Sequence, residues 1–222
     1  FTNNKVRRIN DYVVKRSDHS KSEAAWYTIA HDLGISIPTL LSYDQDTITT
    51  QFVDGKSCLN ARHTLDILSK FKNSKSLTSA TFNDYIKRIE LHLNNLSNIV
   101  GGNNLISSLK TIDVTPSFNH GDFSVDNMIE KNGILYLIDP IFSSDLFQSY
   151  VLDAAKHLFS ILYYHLDSEF YTACRTLYEE HLNIDSYSLD ILIAAESIRV
   201  AGHRSCLSSL SNNLICSLVN DV

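Results

Sequence analysis

The residues able to do chemistry are concentrated in one stretch, Phe118-Asn119-His120-Gly121-Asp122-Phe123-Ser124-Val125-Asp126-Asn127, with Leu137-Ile138-Asp139-Pro140 shortly after it. Between them residues 128–131 and 134–138 alternate as strands about Asn132-Gly133. Asn-Gly supplies the positive φ angles of a type I′ turn, so a hairpin is expected. Hairpin pairing brings the start of the first strand to the end of the second, making Asn127 and Asp139 neighbours. Asp122 lies five residues upstream in the same loop. Two carboxylates and a carboxamide then converge. Hard oxygen ligands suit Mg²⁺, which takes one or two protein oxygens plus phosphates. The remaining carboxylate can accept a proton from an attacking hydroxyl. Taken singly, Asp122, Asp126 and Asn127 are ordinary turn residues. The combination of His120, Asp122, Asn127 and Asp139 at these spacings carries the chemistry.

The order His120-Gly121-Asp122-x-x-x-x-Asn127, then Ile138-Asp139, resembles the aminoglycoside phosphotransferase and choline kinase-like family, small-molecule relatives of the protein kinases. The glycine after His120 resembles the small-molecule branch. The resemblance implies an α+β, protein-kinase-like bilobal fold, with a small β-rich N-lobe and a larger, mainly helical C-lobe holding a catalytic hairpin. It implies ATP and Mg²⁺ as cofactors and transfer of the γ-phosphoryl group to a small-molecule hydroxyl. By it Asp122 is the catalytic base, and Asn127 and Asp139 hold Mg²⁺. Lys15 takes the place of the phosphate-contacting cation, with Arg16 as the neighbouring alternative on the opposite strand face. Glu23 is the helix glutamate that pairs with it. Backbone groups near Gln51 and Val53 meet the adenine. Thr2, Asn3 and Asn4 resemble the family's G-x-T-N phosphate loop without its glycine, and Asp153 braces the catalytic loop. Pro140 departs from the Trp, Phe or Gly common after the metal aspartate.

These residues need elements to position them. Residues 6–9 and 12–16 read as a hairpin about Asn10-Asp11. Ala25, Trp26, Ile29, Ala30 and Leu33 fall at helical spacing, and Gly34 is placed to end that helix. Two more strands, 39–43 and 47–53, flank Asp44-Gln45-Asp46, completing β-β-α-β-β. The polar break Asp54-Gly55-Lys56-Ser57 divides a nucleotide-binding lobe, 1–54, from a catalytic and acceptor-binding lobe, 55–222. Beyond it Leu65, Leu68 and Phe71 predict a helix. Phe82, Ile86, Ile89, Leu93, Leu96 and Val100 predict another, ended by Gly101-Gly102, with a short one at 104–110. About four helices are expected after Leu146.

Composition narrows the partners. A net charge of −6 argues against a nucleic-acid binder. Seven Gly and three Pro in 222 residues, well under the usual share of about 12%, argue against a turn-rich all-β fold. No apolar run reaches the roughly 18 residues of a membrane span, and no signal peptide is read, so a cytoplasmic protein is expected. The four separated cysteines are then reduced. The start at Phe1 predicts a longer natural N-terminus and a truncated phosphate loop. The acceptor is expected to be sugar-like or an amino alcohol, of the choline or aminoglycoside class. Tyr163, Tyr164, Phe170, Tyr171 and Tyr178 could cage a choline cation, but their spacing also suits core packing. Glu169, Glu179, Glu180 and Asp190 could meet an aminoglycoside, or be solvated helix faces. The alternative reading is a pseudokinase or nucleotide-binding regulatory module without turnover. A protein kinase is disfavoured, because little room follows Asp139 for an activation loop. A metal-dependent hydrolase using Asp122 and Asp139 is a further alternative.

Overall fold

The computed structural model describes residues 6–57, 59–96, 101–164, 168–203 and 217–219. Thr2, Asn3 and Asn4 lie outside them, as do Cys58, Cys206 and Cys216. Strands β1 (Val6–Ile9) and β2 (Tyr12–Arg16) form the expected hairpin, with Asn10 at φ 53, a conformation Asn tolerates. Helix α1 (Ser20–Asp32) ends where Gly34, at φ 66, donates its N–H to the His31 carbonyl at 2.8 Å. Strands β3 (Leu40–Tyr43) and β4 (Thr47–Gln51) turn about Asp44, whose Oδ1 accepts from the Asp46 and Thr47 amides at 3.0 and 2.8 Å. The antiparallel order β1-β2-β4-β3 puts β2, the strand of Lys15, inside the sheet.

One expectation is corrected at the polar break. Lys56–Ser57 is a short strand, β5, paired with β6 (Met128–Lys131), which pairs in turn with β7 (Ile134–Leu137). The hairpin β6–β7 is therefore part of a three-stranded sheet. Gly55 permits this: a Cβ there would lie 2.4 Å from the Glu130 carbonyl oxygen. Asn132 and Gly133, at φ 54 and 77, form the hairpin turn as expected.

Helix α2 (Ala61–Lys72) is capped by Asn60, and α3 (Phe82–Asn94) by a Thr81–Asp84 capping box. α3 ends at Asn94 rather than running on through Leu96; Val100 lies outside the described residues. α4 (Gly102–Leu109) then starts at the two glycines, with Gly101 as its N-cap at φ 88. After Leu146 the described residues hold α5 (Tyr150–Tyr163), α6 (Ser168–Leu182) and α7 (Ser186–His203). α5 is buried along most of its length and packs on α7, α2 and α6. Among the described residues no helix is long and apolar enough to cross a membrane. The free Cys174 is buried.

An aromatic cluster joins α1 to the helical region and to the loop 118–127. Trp26 stacks on Phe118 at 6.0 Å and meets His120 edge-on at 5.2 Å, while Phe71 packs against Phe118 and Phe123. All of these side chains are fully buried. The cluster fixes the loop that carries Asp122.

Candidate active site

The loop 118–127 is held from three sides. Asp153, at the first turn of α5, accepts from the His120 and Gly121 amides at 2.6 and 3.0 Å, so it braces the loop as its position implied. Burial pushes Asp153 up to about 8, against the lowering by those two amides. His120 accepts the Asp122 amide at Nδ1 (3.3 Å), which leaves its Nε2–H to donate to the Ile138 carbonyl at 2.9 Å. Burial brings His120 down to about 4, so it is neutral at physiological pH. The Ile141 amide donates to the His120 carbonyl at 3.0 Å, tying the loop to the segment after Asp139. Gly121 makes that crossing possible, being at φ +81 with the Ile141 carbonyl oxygen 2.1 Å from where a Cβ would sit.

The hairpin brings the expected groups together. Ile138 donates to the Asn127 carbonyl at 3.1 Å, next to the register pair Met128–Leu137, so Asn127 and Asp139 are neighbours. The Asn127 Nδ2 donates to the Asp122 carbonyl (2.9 Å) and to Asp122 Oδ2 (3.1 Å). This turns the Asn127 Oδ1 away, without a hydrogen bond among the described residues. Asp139 sits at φ 56, a strained conformation for a residue with a side chain, and its carboxylate is half exposed. A free carboxamide oxygen beside an accessible carboxylate fits Mg²⁺, which needs few protein ligands when phosphates supply the rest.

Lys15 joins the two sheets. Its Nζ contacts Glu23 Oε2 at 3.0 Å and bonds to Asp139 Oδ1. Glu23 is buried and also accepts from Ser17 Oγ at 2.5 Å. Burial would lower the Lys15 pKa, but attraction to Asp139 and Glu23 raises it overall, so the ammonium is kept. Arg16 pairs instead with Asp46 at 3.2 Å, both side chains exposed, so of the two cations Lys15 alone meets Glu23 and Asp139. The Gln51 amide donates to the Thr39 carbonyl at 2.9 Å and the Phe52 amide to the Asp11 carbonyl at 2.7 Å. The backbone of Val53 makes no hydrogen bond among the described residues.

Asp122 has partners that sequence reasoning missed. Lys156 on α5 lies 3.2 Å from its Oδ1 and Arg199 on α7 lies 3.8 Å away. Burial alone would raise the Asp122 pKa; Lys156, Arg199 and His120 bring it below the usual value. Arg199 in turn pairs with Glu196 at 2.6 Å, and Glu196 accepts from the Tyr85 hydroxyl at 2.9 Å. Lys156 had one available signal, its place one helical turn after Asp153. Arg199 had none, being 77 residues from Asp122.

No protein-family model and no curated protein matches the chain by sequence. Solved structures do match. A choline/ethanolamine kinase family protein from Mesorhizobium loti aligns at a TM-score of 0.66 and 14% identity, covering 99% of this chain and 85% of that one. LicA in complex with AMP aligns at 0.66 and 16%, covering 98% and 86%. The GDP complex of aminoglycoside 2'-phosphotransferase-IIIa aligns at 0.66 and 11%, covering 100% and 89%. The chain shares the fold of the aminoglycoside phosphotransferases and choline kinase-like proteins. This is the protein-kinase-like α+β architecture expected from the His120–Asp139 segment. Within that fold, none of the residues weighed for acceptor binding lines the cavity beside Asp122, although the Tyr164 hydroxyl bonds to Asp126 of the loop. Tyr178 is buried, with its hydroxyl 3.0 Å from Thr64 Oγ1 and 2.8 Å from His157 Nδ1, and Tyr163 packs on Phe159. Glu179 and Asp190 pair with Arg175.

Proposed function

We propose that this chain is an ATP- and Mg²⁺-dependent phosphotransferase that moves the γ-phosphoryl group to a hydroxyl of a small molecule. Residues 1–54 act as the nucleotide-binding lobe and residues 55–222 as the catalytic and acceptor-binding lobe. The observation that carries the reading is the double contact of Lys15 with Glu23 and Asp139, which joins the nucleotide strand, the first helix and the catalytic hairpin. The shared fold with nucleotide-bound small-molecule kinases supports it.

In this reading Lys15, held by Glu23, contacts nucleotide phosphates, and Val53, with Gln51 behind it, meets the adenine. Asn127 and Asp139 would hold Mg²⁺, which would neutralise phosphate charge. The acceptor oxygen forms a bond to the γ-phosphorus as the bond to the bridging oxygen of ADP breaks. The hydroxyl proton passes to Asp122. Asn127 orients that carboxylate and Lys156 keeps it ionised. A carboxylate of lowered pKa is a weak base, which suits a loose transition state in which the proton leaves late.

The test combines Mg²⁺-dependent thermal stabilisation by ATP with ADP release over sugars, polyols, choline, ethanolamine and aminoglycosides. Asp122→Ala is expected to abolish acceptor-dependent ADP release while ATP still binds. A wild-type rate in that variant would remove Asp122 from the chemistry. ATP binding with no turnover on any acceptor would favour a regulatory nucleotide-binding module.

A further inference from the structure

A cavity of about 540 Å³ opens beside Asp122, walled by α3, α5, α7 and the segment 141–148. Lys15, Asn127 and Asp139 do not line it, so it lies apart from the proposed nucleotide groups. Three cations face it: Arg88, Lys156 and Arg199. Lys156 and Arg199 have carboxylate partners, Asp122 and Glu196. Arg88, half-buried on α3, has no ion pair or hydrogen bond among the described residues. It feels repulsion from Arg199 and attraction to Glu196, and burial together with that repulsion lowers its pKa.

Five carboxylates line the cavity; Asp145, exposed at its rim, accepts from the neighbouring Ser144 hydroxyl at 3.2 Å, and the other four are engaged, Asp122 with Lys156. Asp153 holds the loop amides, and Glu196 holds Arg199 and the Tyr85 hydroxyl. Asp84 accepts from Thr81 at its own helix cap and contacts Lys87. A guanidinium offers five donors in a planar fork that matches a carboxylate or phosphate. Leaving it half-buried and unpaired costs free energy that an anion would recover.

We propose that the acceptor hydroxyl belongs to a molecule that also carries an anionic group, a carboxylate or a phosphate, bound by Arg88. The proposal rests on the phosphotransferase reading and sharpens its acceptor class. Arg88 is a specificity residue, and Asp122 receives the hydroxyl.

Matched probes test it. Glucuronate, glycerate and glucose 6-phosphate are compared with glucose and glycerol, and with choline and kanamycin, by thermal shift without nucleotide. The anionic members are expected to stabilise the protein more than their neutral counterparts. Glucose 6-phosphate against glucuronate tells phosphate from carboxylate. Arg88→Gln should abolish the response, Arg88→Lys should keep part of it, and Lys15→Ala should leave it intact. In turnover, Arg88→Gln should raise the KM of an anionic acceptor about 10- to 100-fold, the range for a charge-assisted hydrogen bond, with the KM for ATP unchanged. Anions no better than neutral probes would overturn the proposal, as would an undiminished response in Arg88→Gln. So would a rise in the ATP KM of Arg88→Gln with the anion response kept, which would place Arg88 on the transferring phosphoryl group. Failure of the phosphotransferase reading is a separate result: anions bind, yet Mg²⁺-ATP neither stabilises nor turns over.

Discussion

Two residues of the site occupy conformations that few side chains tolerate, and both are informative. At Gly121 a methyl group would overlap the Ile141 carbonyl, 2.1 Å away, and would add the strain of a positive φ. Gly121→Ala is expected to cost at least about 2 kcal/mol, from left-handed strain plus displaced backbone. It should also lower turnover, because Asp122 is the next residue. Urea denaturation and ADP release check the two effects. At Asp139 the strained φ of 56 presents the carboxylate to Lys15. Asp139→Ala should remove the Mg²⁺-dependent part of ATP affinity and keep the rest; unchanged affinity in titrations with and without Mg²⁺ would refute the metal role. Lys15, Glu23, Asp122, Asn127 and Asp139 were legible because each belongs to a local pattern whose order along the chain is characteristic. Arg88 and Arg199 were not, and Lys156 only through its place one turn after Asp153, because the three reach the cleft from different helices. Only the folded packing brings them to one cavity.

Elements with a clear period were found, though α3 stops at Asn94, short of the pattern that runs on to Leu96. The five elements of residues 6–51 match the expected β-β-α-β-β, and Asn132-Gly133 marks its hairpin. β5 was read as a break because two residues show no alternation; its pairing depends on Gly55 letting the chain approach Glu130. Trp26 was read only as one core residue of a helix. Its indole N–H donates to the Asn119 carbonyl at 2.8 Å, and so carries α1 onto the catalytic loop. Trp26→Phe keeps a ring there but leaves that carbonyl buried and unpaired. A loss of about 1–3 kcal/mol in stability is expected. Turnover should fall more than ATP affinity, since the loop moves and the adenine strand does not. A urea midpoint and a kcat measurement decide it.

Over the whole molecule, charge and burial set the response to pH. His157 is fully buried and brought down to about 3, as His120 is to about 4. As pH falls below 6.5 the unfolded chain takes up protons that the folded chain refuses, so each histidine removes stability down to its folded pKa. Asp153 opposes them, since its raised pKa lets the folded state hold a proton between about 4 and 8. His92 is lowered too, by burial and the nearby Arg88 and Arg199, so at least one net proton remains and stability should fall by at least about 1.4 kcal/mol per pH unit between pH 6.5 and 4. His157→Gln should flatten that slope by about one proton, as read from urea curves at several pH values; an unchanged slope would mean His157 is not buried neutral. The overall charge of −6 spoke against nucleic acid, but as an average it hid the three cations that meet five carboxylates at one cleft. The indole bond of Trp26 has a consequence at this scale too. Protein kinases are turned off by swinging their glutamate-bearing helix outward. Here that swing would tear Trp26 from Asn119 and Phe118, and would strain the bond from Leu137 to Ser36, which follows the same helix. α1 is thus tied to the loop 118–127 at its middle and to β7 just past its end, and Glu23 stays beside Lys15 only while both ties hold.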